Sequence, residues 1–180
     1  TFGRASKERR SAQTAIYKIL DILVRLLAPI IPFTAEEVWK HFKKEGSIHL
    51  SDWPVVDEKL LDPKLEENWQ FLRGLRTEVL KALEEKRIAK VIGSPQEAKI
   101  KLYIKDDSEY NLLLKYLKEL PALFIVSQVE LEKNKDKGTE VTNADGKKCS
   151  RCWNWNEFVG TDKDHPSLCK RCLDVVAAQV

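Results

Sequence analysis

The chain has 180 residues, 43% of them apolar and 33% charged, with 31 Lys+Arg against 28 Asp+Glu. That supplies a core and lies too near neutrality for a polycationic wrapper, so a disordered tail and a histone-like arm are both excluded. The charge is uneven, with residues 1–50 and 147–180 basic and residues 51–146 acidic, which points weakly to a polyanionic partner held at the ends.

Over residues 4–28, Ile16, Ile19, Leu20, Leu23 and Leu27 share one helical face. Ile22, Val24 and Leu26 widen that stripe around the axis, so several neighbours are expected to cover this helix. Asp21 and Arg25 stand four apart and can pair. Its first turns are basic, with Arg4, Lys7, Arg9 and Arg10 against Glu8 alone. No run is long enough to span a membrane, because Lys18, Asp21, Arg25, Pro29 and Pro32 interrupt the best candidate. There is no signal-peptide stretch and no Met, which reads as a piece of a longer polypeptide.

Pro29 and Pro32 end the first helix. Thr34 and Glu37 then predict a capping box, with Phe33 and Val38 as its hydrophobic staple, for a helix over residues 35–44. Gly46 to Pro54 reads as an ordered loop that buries Ile48, Leu50 and Trp53. Asp62 and Pro63 start a helix whose Leu65, Trp69, Leu72, Leu75, Val79 and Leu83 pack one side as far as about Lys86.

After Gly93-Ser94-Pro95 the period changes to two. Ala98, Ile100, Leu102 and Ile104 predict a strand with one buried face. Asp106 and Asp107 can cap a helix over Tyr110 to Leu120 that Pro121 stops, and Phe124 to Leu131 is a second strand, which together make a small βαβ-like unit. A boundary is expected at Glu132 to Gly138, and Thr139 to Thr142 with the turn at Asp145-Gly146 suggests a short hairpin. The expected division is therefore a partial helical bundle (1–90), the α/β unit (91–132), a connecting segment (133–146) and a cysteine module (147–180).

All four cysteines lie in the last module as Cys149-x2-Cys152-x16-Cys169-x2-Cys172. Two such knuckles bring four sulfurs to one tetrahedral ion, and the segment between them is too small and polar to fold on a core of its own, so one structural Zn²⁺ is the expected cofactor. Disulfides would need an oxidising compartment that nothing here suggests. Lys147, Lys148, Arg151, Trp153, Trp155, Lys163, Lys170 and Arg171 surround the metal, the mixture of cations and flat rings that suits single-stranded nucleic acid. Trp155 or Phe158 is expected to pack and Trp153 to project.

The run Leu27-Ala28-Pro29-Ile30-Ile31-Pro32-Phe33-Thr34-Ala35-Glu36-Glu37-Val38-Trp39 resembles the anticodon-binding helical domain of class I tRNA synthetases for aliphatic amino acids. Residues 10–17, residues 92–98 and the ending Lys148-Cys149-Ser150-Arg151-Cys152-Trp153 narrow the resemblance to bacterial-type isoleucyl-tRNA synthetases. It implies a mainly α chain, made of a partial anticodon-binding helical bundle, a small α/β unit and a C-terminal zinc finger with four cysteine ligands. It also implies recognition of the isoleucine tRNA anticodon stem and loop by Arg151, Trp153, Lys148, Arg171, Arg9 and Arg10, with Cys149, Cys152, Cys169 and Cys172 on zinc. Catalytic and editing domains would lie upstream, where ATP is used; the parent would be a cytoplasmic monomer, and this piece non-catalytic with an exposed apolar side. Pro95 and Gln96 depart from the family's local pattern. Formamidopyrimidine-DNA glycosylases end in a similar finger, but Thr1-Phe2 and Leu173 do not fit them; a free-standing zinc ribbon is the other alternative.

Overall fold

A computed structural model describes residue 3, residues 6–42 and residues 45–177; Arg4 and the predicted helix end at Lys44 lie outside them. The chain forms two compact units, residues 2–61 and residues 62–180. Among the described residues no helix is long and apolar enough to cross a membrane.

In the first unit α1 runs Lys7–Leu27 and α2 Pro32–His41. Ser6 caps α1 by accepting a hydrogen bond from Arg9 N, and Arg25 pairs with Asp21 as their spacing requires. The capping box does not form: α2 starts at Pro32 with Ile31 at the N-cap and no side-chain cap. Proline's fixed φ is already helical and its missing N–H is one the first turn would leave unpaired, so the helix begins two residues before Thr34. Phe33, expected to staple, is 90% exposed. The buried residues are Val24, Ala28, Ala35, Trp39 and Ile48. Glu36 on α2 holds the following turn, accepting from Ser47 Oγ at 2.8 Å and from Ile48 N at 3.1 Å. Ile48 is buried as read, whereas Leu50 and Trp53 are exposed.

In the second unit Asp62 caps α3 (Pro63–Ile88) through Leu65 N, with Pro63 in its first turn. The strand β1 (Ala98–Ile104) alternates buried and half-buried residues over its whole length. Asp106 caps α4 (Asp107–Lys115) by accepting from Ser108 N and Glu109 N. Pro121 does not stop a long helix but stands in the first turn of a separate short one, α5 (Leu120–Phe124). The strand β2 (Gln128–Lys133) then pairs parallel to β1, closing the expected βαβ unit.

Residues 138–143 are not part of a local hairpin. They form β3 (Gly138–Asn143), which lies antiparallel on the other edge of β1, giving the order β2-β1-β3. The expected boundary after residue 132 is thus a connection inside one sheet. Leu72, Leu75, Val79 and Leu83 of α3 belong to the same core as Ala98, Ile100, Leu102, Ile104, Leu113, Phe124 and Val141, so the long helix goes with the sheet and not with α1 and α2. Burying one Leu or Phe side chain stabilises by roughly 1.5–3 kcal/mol, so this shared core, and not helix propensity, fixes where α3 sits. The outer sheet face is an ionic lattice: Lys99 reaches Glu130 at 2.7 Å and Asp145 at 2.9 Å, and Lys101 reaches Glu132 at 2.6 Å.

Candidate metal centre and nucleic-acid interface

The cysteine module is joined to the sheet through Ser127. Its Oγ donates to Gln96 O at 2.6 Å and accepts from Trp155 N at 2.7 Å. Two short strands, β4 (Lys147–Lys148) and β5 (Trp155–Asn156), pair antiparallel around the first knuckle. They require Gly146, whose φ is +89° and where a Cβ would stand 2.4 Å from the Asn156 backbone. The second knuckle opens α6 (Lys170–Ala177).

Within the first knuckle Trp153 N donates to Cys149 O at 2.9 Å, and across the knuckles Cys169 N donates to Cys149 Sγ at 3.3 Å. The four sulfurs all lie within 4.8 Å of one another, with Cys152 and Cys169 Sγ 3.7 Å apart. A tetrahedron of zinc–sulfur bonds of about 2.3 Å has edges of about 3.8 Å, so the donor set suits Zn²⁺, with the Cys152–Cys169 edge already at 3.7 Å. The cysteines are free thiols and form no disulfide. Burial and the neighbouring sulfurs push the Cys169 thiol up to about 12 and that of Cys152 upward. Burial opposes ionisation at Cys149 as well, but the N–H groups of Cys152, Cys169 and Arg151 bring it down to about 6. Four sulfur ligands leave no open position on the metal for catalysis.

Trp153 projects, 58% exposed, as its place beside a ligand predicts. Its backbone is left-handed, with φ +68°. For a bulky residue that costs roughly 1–2 kcal/mol, and glycine would relieve it. Lys148 Nζ lies 5.3 Å from the ring centroid. Trp155 and Phe158 are half-buried, consistent with packing. A cleft of about 270 Å³ lies against Cys152 and Cys169 and is flanked by Lys118, Lys170 and Arg171, with Asn154, Asn156 and Trp155. Lys148 and Arg171 are exposed, and Arg151 is half-buried because its Nη1 turns back to Cys172 Sγ at 3.8 Å. Arg9 and Arg10 stand exposed on α1, in the other unit. Neither the left-handed Trp153 nor the cleft nor the Arg151–Cys172 contact follows from the sequence reading; the one local signal for that contact is the Cys-x-Arg-Cys shared by both knuckles.

Four cysteines clustered in two knuckles, with an exposed aromatic beside one of them, define a zinc finger of the four-cysteine class. Residues 2–102 match the family described as the anticodon-binding domain of tRNA ligase, and residues 146–175 match the zinc finger found in formamidopyrimidine-DNA glycosylases and isoleucyl-tRNA synthetases. The chain belongs to the anticodon-binding family of tRNA ligases. It is 40% identical over 197 residues to the isoleucine–tRNA ligase of Thermoanaerobacter sp. (strain X514), which covers 99% of this chain and 21% of that protein. It is likewise 42% identical over 186 residues to that of Gloeobacter violaceus (97% and 19%) and 43% over 189 residues to that of Petrotoga mobilis (99% and 20%). The finger alone would fit a glycosylase; the match over residues 2–102 and these relatives do not. The chain thus spans about a fifth of the length of the curated relatives it matches.

Proposed function

We propose that this chain is the anticodon-side tRNA-binding end of an isoleucine–tRNA ligase, reading isoleucine tRNA while upstream domains carry out ATP-dependent ligation and editing. The observation that carries the reading is Trp153, a large ring held exposed in a backbone conformation that opposes it. Strain of this kind persists where the surrounding structure over-determines it, and here that structure is the knuckle itself.

Zinc, held by Cys149, Cys152, Cys169 and Cys172, supplies folding free energy and a rigid mount. Trp153 offers its face to an unstacked base, Lys148 supplies a cation beside it, and the cleft flanked by Lys118 and Lys170 receives the backbone. On α1, Arg9 and Arg10 contribute phosphate contacts. The parent is a monomer of the cytoplasm in this reading, where free thiols persist and metal ligation replaces disulfide formation.

The test is binding of the zinc-loaded chain to isoleucine and valine tRNAs. Trp153→Ala is expected to weaken the isoleucine complex by about one stacked base, 1–3 kcal/mol, while leaving its salt dependence unchanged. Equal affinity of the variant and the original chain would overturn the stacking role.

A further inference from the structure

The two knuckles share more than cysteine spacing: each carries an arginine directly before its second cysteine, Arg151 before Cys152 and Arg171 before Cys172. Arg151 Nη1 donates to Cys172 Sγ at 3.8 Å, and Arg171 lines a cleft together with Cys152 and Cys169. Each arginine therefore stands beside the last cysteine of the opposite knuckle.

A zinc ion with four thiolates carries a net charge of −2, and Cys149 and Cys172 are fully buried while Cys169 is nearly so. Burying an uncompensated double charge is costly, and the segment has little apolar core to offset it. Two guanidinium groups bring the assembly to neutrality, and a guanidinium, always charged and weakly hydrated, suits a half-buried sulfur better than an ammonium does. We infer that Arg151 and Arg171 are positioning residues of the metal centre, a crossed pair that neutralises the tetrathiolate and ties each knuckle to the other. The aromatic and the lysines are then left to contact RNA. The inference goes beyond the proposed function and does not depend on it.

The experiment uses the zinc-loaded chain and its Arg151→Ala, Arg171→Ala and corresponding Lys variants, challenged with excess chelator while iodoacetamide traps freed thiols. Each alanine variant is expected to release zinc roughly 10–100-fold faster, the usual consequence of losing a partner of a metal ligand. The lysine variants should fall between, keeping charge without the planar fork. Peptide mass analysis supplies the readout that mere loss of packing would not give. Cys172 is modified first in Arg151→Ala and Cys152 first in Arg171→Ala, whereas general loosening would open all four cysteines together.

Cobalt loading, with its tetrahedral absorption, establishes that each variant still assembles the site. An alanine variant that takes up no cobalt is replaced by its lysine counterpart, in which the same cysteine is expected first. Release at the original rate, or modification without the crossed order, overturns the inference. So does an alanine variant that keeps zinc but loses an isoleucine anticodon hairpin, since its arginine would then serve RNA and the proposed function would stand. If the unaltered zinc-loaded chain ignores that hairpin while the crossed order appears, the proposed function falls and this inference survives.

Discussion

The sheet with α3 and the cysteine module belong to one unit but are held by different means. Residues 72–141 enclose fourteen buried apolar side chains. Among the described residues the cysteine module buries only Val159, Leu168 and Val175 besides three of its cysteines. The first is stabilised by area removed from water; the second has too little area and needs a bond to metal. Left-handed backbone occurs in both regions: the sheet unit holds Ile125 at φ +61° between the buried Phe124 and Val126, and the knuckle holds Trp153 at φ +68°. What differs is the anchor, which is buried apolar area at Ile125 and the metal ligands at Trp153.

The largest effect should come from removing zinc. Chelation is expected to abolish amide protection over residues 147–177 while β1, β2, β3 and α3 stay protected, since structural zinc supplies on the order of 10–16 kcal/mol to such segments. Protection that survives in the module, or fails in the sheet, would break the comparison. Next comes the core: Phe124→Ala, at a fully buried site, should cost about 3–5 kcal/mol in denaturant unfolding. Ile19→Ala on the exposed face of α1, where Ile19 is 57% exposed, should stay within about 0.5 kcal/mol. A smaller effect sharpens the point about strain: Trp153→Gly should be more stable than Trp153→Ala by about 1 kcal/mol, because glycine accepts φ +68° and alanine does not. Both lose the stacking ring, so stability and RNA binding part company.

The smallest effect is a pH dependence. The Ser47 hydroxyl, followed by the Ile48 N–H, holds the Glu36 carboxyl below its ordinary 4.5. A depressed carboxylate stabilises the fold above its unfolded value, and that contribution is lost as pH falls through the folded one. The turn after α2 should therefore loosen only below about pH 4.5, while zinc, competing with protons for thiolates, leaves first. NMR of the Ile48 amide alongside zinc release would order the two.

How much could be read in advance follows the same contrast. The zinc ligands were legible because four thiols at knuckle spacing in a segment without a core have one economical arrangement. Strand β1 was legible from its alternation, and α3 from Asp62, Pro63 and its periodic Leu residues. The place of β3 was not, because Thr139 to Thr142 shows strand character but local pattern does not name a partner some 40 residues away. The apolar girdle of α1 predicted neighbours, yet only Val24 on that helix is buried. Pattern reports what a surface would bury, not what is present to bury it. Trp153 was singled out for chemistry, but its left-handed backbone was invisible because nothing local distinguishes an aromatic at that knuckle position from one in an extended loop.

The most direct test of the central claim, that zinc holds Trp153 out to read RNA, is the affinity of the chain for isoleucine tRNA measured with zinc bound and after chelation, with valine tRNA as comparator. The account predicts preference for isoleucine tRNA with zinc and a weaker, undiscriminating, purely salt-dependent grip without it. Discrimination that persists unchanged after zinc is removed would contradict it.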